Sequence, residues 1–219
     1  KLFEAAHRAG VKRVVYASSA RVYGSDVDTL TNEPLSEDAP PSPPDIYGAG
    51  KLMSEHLAKL YHEKYGLDVI GMRPTATFGV GKRRAASGTQ QEIMVRPEMA
   101  ALGEPVALPP DDQHIDWMYA ADAAQAWYLA LTVEDPPHRI FNMTSEARPM
   151  GEITAYLRKL LPEAQITVNN EPEKHLSLLS QRRLREELGF VPRYTVEEGL
   201  CRSLNRARVQ AGLPPVTAA

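Results

Sequence analysis

Apolar and polar positions alternate along this chain with two periods, one helical and one of extended strands. Leu2, Phe3, Ala5, Ala6 and Ala9 form a helical stripe that Gly10 can close as a C-cap. Val11 to Ala17 then runs apolar and β-branched, the pattern of a buried parallel strand. Ser18 to Pro44 reads as a long loop with five prolines between Pro34 and Pro44, and loops of this length inside a domain tend to be functional. Tyr47 to Tyr65 reads as a helix, apolar at Leu52, Leu57 and Leu60 and stopped by Gly66. Leu67 to Arg73 reads as a second strand, 74–88 as a loop and Gln90 to Leu102 as a helix. Short strands are expected at Pro105 to Leu108 and Trp117 to Tyr119, an alanine-rich helix at Ala121 to Leu131, and a strand at Ile140 to Met143. The last third reads as helices over 151–161, 181–188 and 196–210, with a small strand at Ile166 to Val168.

Strands alternating with helices predict an α/β fold: part of a Rossmann-like, doubly wound parallel sheet with a small C-terminal substrate-binding lobe. Residues 1–110 are expected to hold the C-terminal half of the sheet domain, interleaved with the lobe, and 111–219 mainly the lobe plus the last sheet strand. In open α/β sheets, ligands bind in the crevice outside the strand ends. Composition narrows the class. Of 219 residues, 43% are hydrophobic and 24% charged, as in a soluble globular protein. A net charge of -3 gives no basic footprint, so no nucleic-acid partner is expected. No apolar run reaches a membrane-spanning length, so no membrane partner is expected. The one cysteine, Cys201, lies in an apolar helical stretch and reads as structural, which fits a reducing cytoplasm. His7, His56, His62, His138 and His175 show no ligand spacing, and no metal is expected.

Three segments carry candidate chemistry in order. Ser18 and Ser19 stand at a strand end, followed by Val22-Tyr23-Gly24. Tyr47-Gly48-Ala49-Gly50-Lys51 opens the long helix. Arg73-Pro74-Thr75-Ala76-Thr77-Phe78-Gly79 closes the next strand. Four residues separate Tyr47 from Lys51, which places them on one helical face a turn apart. An ammonium beside a phenol favours the phenolate, and a phenolate can take a proton from an alcohol. A strand-end serine can hydrogen-bond the same oxygen. A lone Tyr-x-x-x-Lys pair is common surface decoration; the ordered combination is not.

On these motifs the chain resembles the extended short-chain dehydrogenases/reductases, the NAD-dependent epimerase/dehydratase family. Ile115-Asp116-Trp117-Met118-Tyr119-Ala120-Ala121-Asp122 resembles the family's Arg-Asp-Phe-Val-Tyr-Val-Asp-Asp segment. Phe141-Asn142 and the run from Leu188 to Leu200 extend the likeness to the C-terminal region. The resemblance implies NAD as cofactor, with NADP not excluded. It implies Tyr47 as general base, Ser19 positioning the substrate hydroxyl, and Lys51 tuning Tyr47 and binding the nicotinamide ribose. Ala17 and Ser18 would lie along the cofactor edge, with Pro74 and Thr77 lining the nicotinamide. Ala20, Arg21, Thr75 and Ala76 would face the substrate. It also implies a homodimer through the 47–65 helix.

Departures from the family pattern narrow the reaction. Dehydratases carry Thr-Asp-Glu where this chain has Ser19, Ala20 and Arg21, which argues against water elimination. Nucleotide-sugar enzymes of the family usually place asparagine at Ala76 and arginine at Ile115, so a bidentate phosphate clamp is missing. The basic run Lys82-Arg83-Arg84 offers a carboxylate or phosphate site instead, with Arg83 the candidate. The expected activity is hydride transfer at a carbinol of a sugar or sugar acid. The alternatives are a nucleotide-sugar 4-epimerase and a non-catalytic cofactor-binding or scaffold protein. No glycine-rich dinucleotide turn follows any strand of this sequence, so these residues are expected to be part of a longer chain.

Overall fold

The computed structural model describes residues 1–24, 33–80, 93, 95–169 and 178–217. They form two compact units. One comprises Lys1–Thr75, Ala123–Thr144 and Leu176–Val191, the other Ala76–Asp122, Ser145–His175 and Pro192–Ala219. Along the chain the two units alternate. The physical reason is the parallel connection: strand β6 (Ile140–Met143) must return beside β2 (Asp68–Pro74), so the chain leaves the first unit and comes back.

In the first unit α1 (Leu2–Arg8) precedes β1 (Arg13–Ala17), and α2 (Ile46–Tyr65) precedes β2. The sheet order is β1-β2-β6, all parallel. Its other helices are α4 (Ala120–Thr132), most of which belongs here, and α6 (Arg182–Leu188). The run Val11 to Ala17 was expected to be fully buried. Val14 and Val15 are only half-buried, because among the described residues β1 is hydrogen-bonded to a strand on one side alone. Phe3, Ala6, Tyr16, Ala58, Leu67 and Val69 pack where α1 and α2 cover the sheet. The Tyr61 hydroxyl donates to Glu4 at 2.8 Å and joins the two helices.

Helix α2 is delimited by its ends. Asp45 is its N-cap, accepting from the Gly48 N–H at 2.8 Å, and Gly66 ends it in the left-handed conformation at φ 66°. The N-terminal ends of the strands carry an ionic clasp. Arg13 Nε lies 2.6 Å from Asp68, its cross-strand partner, and Arg139 Nη1 lies 3.2 Å from the same carboxylate. Arg13 also donates to the carbonyls of Ala130 and Val133 at the end of α4, where a cation meets the negative end of the helix.

The second unit holds β3 (Ala76–Phe78), α3 (Arg96–Ala101), β4 (Val106–Leu108), β5 (His114–Tyr119), β7 (Glu146–Pro149), α5 (Met150–Leu160), β8 (Ile166–Val168) and α7 (Val196–Gln210). Strand order is β3-β5-β7 in one sheet and β4-β8 in another. Two of these strands escape the sequence pattern. β3 lies inside the segment read as a loop, and β7 is four residues without clear alternation. Both are short, and their partners rather than their own composition hold them. The core here is built on Phe78, Trp117, Ile153, Leu157 and Leu204, with Phe78 and Trp117 edge-to-face at 5.3 Å. A capping box of Thr195 and Glu198 starts α7.

Gly71 in β2 is where Tyr16 crosses the sheet. A Cβ there would lie 2.6 Å from the Tyr16 hydroxyl and 2.7 Å from Ile140 Cδ1. Gly71→Ala is therefore expected to cost about 1–3 kcal/mol by overpacking. Urea unfolding checks this, and an unchanged midpoint would show that the strands can spread to admit a methyl.

Candidate functional site

The site grows from the C-terminal ends of β1 and β2. Past Ala17, the chain turns through a short 3-10 segment at Ala20–Val22, and the buried Ser19 caps it, its Oγ accepting from the Arg21 N–H at 3.1 Å. Helix α2 packs its first turns against this segment. The contact is close at Gly48, whose Cβ would fall 2.6 Å from the Arg21 carbonyl oxygen. Arg21 is held there by Asp45, Nε to Oδ2 at 2.9 Å. The hydrogen bond from the Gly48 N–H, then the Arg21 side chain, lowers the Asp45 pKa.

Tyr47 projects from the first turn and is 58% exposed. Lys51 lies one turn on, its ammonium 5.5 Å from the Tyr47 ring centroid. Its Nζ donates to the Ala17 carbonyl at 2.7 Å. An ammonium has three N–H donors, so two remain for other acceptors. Ala17 itself is exposed at the strand end. Ser18, by contrast, is buried; its hydroxyl donates to Glu55 and its backbone N–H to the Met72 carbonyl at 2.7 Å, so its carbonyl is what remains for a cofactor edge.

The first unit thus gathers Ala17, Ser18, Ser19, Ala20, Arg21, Tyr47, Lys51, Pro74 and Thr75 on the segments that follow β1 and β2 or open α2. The Thr75 backbone N–H and hydroxyl both donate to the Met143 carbonyl, at 3.2 and 3.3 Å. Ala76 and Thr77 belong to the second unit, in β3, where Thr77 is buried. Ile115, at the position of the family's arginine, is 1% exposed in the core of that unit. Arg83, with Lys82 and Arg84, lies outside the described residues.

The residues that sequence reasoning missed lie beneath this surface. Arg73, 5% exposed, grips the buried Glu55 through two donors, Nε to Oε1 at 2.8 Å and Nη2 to Oε2 at 2.6 Å. Its Nη1 donates to the Tyr23 hydroxyl and to the Glu37 carbonyl at 3.2 Å. Tyr23 donates in turn to Asn142 Oδ1 at 2.7 Å, and the Asn142 backbone N–H donates to Glu37 Oε1 at 2.7 Å. Burial works against the Arg73 charge, but its bonds to Glu55 and Tyr23 outweigh this and hold its pKa above the usual value. Burial pushes the Tyr23 phenol up to about 12, against the pull of Arg73. Burial also raises the Glu37 carboxyl, which the Asn142 N–H opposes. The available signal was spacing: Tyr47, Lys51 and Glu55 recur every four residues, so the helix turns a third ionisable group toward the sheet.

A family model for the NAD dependent epimerase/dehydratase family matches residues 1–144. The chain belongs to this family. It is 28% identical over 206 residues to dTDP-glucose 4,6-dehydratase of Haemophilus influenzae, covering 86% of this chain and 58% of the relative. It is 28% identical over 155 residues to uronate dehydrogenase of Pseudomonas syringae, covering 68% of this chain and 54% of the relative. The crystal structure of Thermus thermophilus UDP-glucose 4-epimerase in complex with NAD superposes with a TM-score of 0.78 at 26% identity, over 94% of this chain and 67% of that one. The chain therefore spans little more than half the length of these two curated relatives.

Arg73→Met would leave the Glu55 carboxylate buried without its partner, and is expected to cost about 3–5 kcal/mol. The double variant Arg73→Met/Glu55→Leu is expected to recover much of that loss. Urea unfolding of both decides it, and equal stability of the two variants would count against an uncompensated charge as the cause.

Proposed function

We propose that these residues serve an NAD-dependent oxidoreductase or epimerase acting on a carbinol of a sugar, with Tyr47 as general base. The observation that carries this reading is the Tyr47–Lys51 pair on the first turns of α2, with Lys51 anchored on the Ala17 carbonyl. As a phenolate, Tyr47 can take the carbinol proton, becoming the neutral phenol. Ser19 accepts the Arg21 N–H, which leaves its own O–H to donate to the carbinol oxygen. The two uncommitted donors of Lys51 fit the hydroxyls of a ribose, so Lys51, Ala17 and the Ser18 carbonyl would hold the nicotinamide end of NAD, with Pro74 as further lining. The bound nicotinamide supplies the hydride acceptor, which no side chain can. Ala20 and Arg21 replace the acid and base that water elimination needs, and Arg21 is committed to Asp45, so the reaction is oxidation or epimerisation.

For the substrate, a sugar nucleotide is the broader reading, because relatives named for dTDP-glucose and UDP-glucose match most of this chain. A uronate or aldonate is the narrower reading. It is favoured by Ala76 and by Ile115, an apolar core residue where an arginine clamp would stand, and by the uronate dehydrogenase relative. Alcohol oxidation by the complete gene product, with NAD and NADP, over sugar nucleotides, uronates and aldonates, separates them. Tyr47→Phe is expected to lower kcat/KM by about 10²–10⁴ on whichever substrate turns over; full activity in that variant would sink the mechanism.

We also propose a homodimer through α2. Its outer face carries Ile46, Met53, Leu57 and Leu60, all exposed, as a stripe at helical spacing that a second copy would cover. Leu57→Lys is expected to move the protein to monomer mass in light scattering, and a wild type that is itself monomeric at high concentration would remove the proposal.

A further inference from the structure

Two successive turns of α2 meet two successive residues at the end of β1. Lys51 donates to the Ala17 carbonyl, and Glu55 accepts from the Ser18 hydroxyl. The two contacts differ in kind. Lys51 is a long, part-exposed side chain on four rotatable bonds, and one neutral acceptor is a weak constraint on it. Glu55 is buried, and besides Ser18 it receives both donors of the Arg73 fork, a planar arrangement that fixes direction as well as distance. The helix cannot slide along its axis or roll without breaking this bidentate contact.

We propose that Glu55, locked by Arg73, is a positioning residue: it fixes the height of α2 against the end of β1 so that Lys51 meets the Ala17 carbonyl and stays over the Tyr47 ring. This rests on the function proposed above for what it means, but not for whether it holds. It also assigns Arg73 and the Ser18 hydroxyl to the scaffold rather than to substrate or cofactor. Neither Glu55 nor Arg73 touches the reacting atoms.

Limiting acetylation with acetic anhydride, read by peptide mass spectrometry, gives the reactivity of Lys51 relative to the exposed Lys12 and Lys64 in the same sample. Glu55→Gln, which keeps the shape but lets an amide face the guanidinium, is expected to raise that ratio about three- to tenfold, the loss of one ordinary hydrogen bond. Ser18→Ala, which leaves the Arg73 contact, is expected to raise it less. Leu204→Ala, a cavity in the core of the second unit, serves as the control for simple loss of stability and is expected to lower Tm with the ratio unchanged. A rise in Glu55→Gln or Ser18→Ala above that of Leu204→Ala supports the proposal. No rise in either, or an equal rise in Leu204→Ala, overturns it. If Glu55→Gln does not fold, Ser18→Ala decides alone. Labelling needs no turnover, so it stands apart from the function. An active Tyr47→Phe removes the proposed mechanism and leaves the clamp, whereas an unmoved Lys51 removes the clamp and leaves the mechanism.

Discussion

The buried ion pair between Arg73 and Glu55 is the interaction on which the first unit depends. Two full charges are taken out of water at the end of the central strand, and burial of this kind is tolerated only where geometry and added hydrogen bonds compensate. Here they do. Glu55 takes two donors from Arg73 and one from Ser18, and Arg73 gives its remaining bonds to Tyr23 and the Glu37 carbonyl. One guanidinium thereby joins β2, α2, the turn after β1 and the proline-rich loop. Asn142 in β6 extends the connection through Tyr23 and Glu37. In the first unit, the end of β1, α2 and the turn after β1 are each tied to this point by at most two hydrogen bonds.

This arrangement separates what is fixed from what is available. The pair and its neighbours are buried and hydrogen-bonded to one another. Tyr47, with most of its surface open, and the spare donors of Lys51 stand two turns and one turn away on the same helix. The role proposed for Tyr47 asks that it be held in place without being hydrogen-bonded into silence, and a rigid stem with an open tip fits both demands.

Much of this was legible in the sequence. The helix of α2 shows in its apolar spacing and in Gly66, and β2 and β6 in their runs of β-branched and aromatic residues. Tyr47, Lys51 and Ser19 show as motifs because their chemistry is read from type and spacing. Glu55 and Arg73 do not, since a charged residue on an amphipathic helix ordinarily faces water, and only the tertiary fold shows that this one is inside. Ser18 looked like a ligand-facing hydroxyl for the same reason. β3 and β7 were missed because strands of three and four residues are set by cross-strand partners, Trp117 to Tyr119 and His114 to Trp117, that local pattern cannot name. The burial of Val14 and Val15 was overstated because an apolar run does not reveal how many neighbours its strand has.

The clasp of Arg13, Asp68 and Arg139 at the opposite end of the strands has a different character. Its side chains keep 14% to 28% of their surface in water, whereas those of Arg73 and Glu55 keep 6% and 8%. Mobile ions reach the first set and are largely shut out from the second. Raising ionic strength therefore weakens the clasp at the N-terminal ends of the strands more than the Arg73–Glu55 pair at their other end. The contact that sets the height of α2 is thus less sensitive to salt than the clasp that ties the strands at their start.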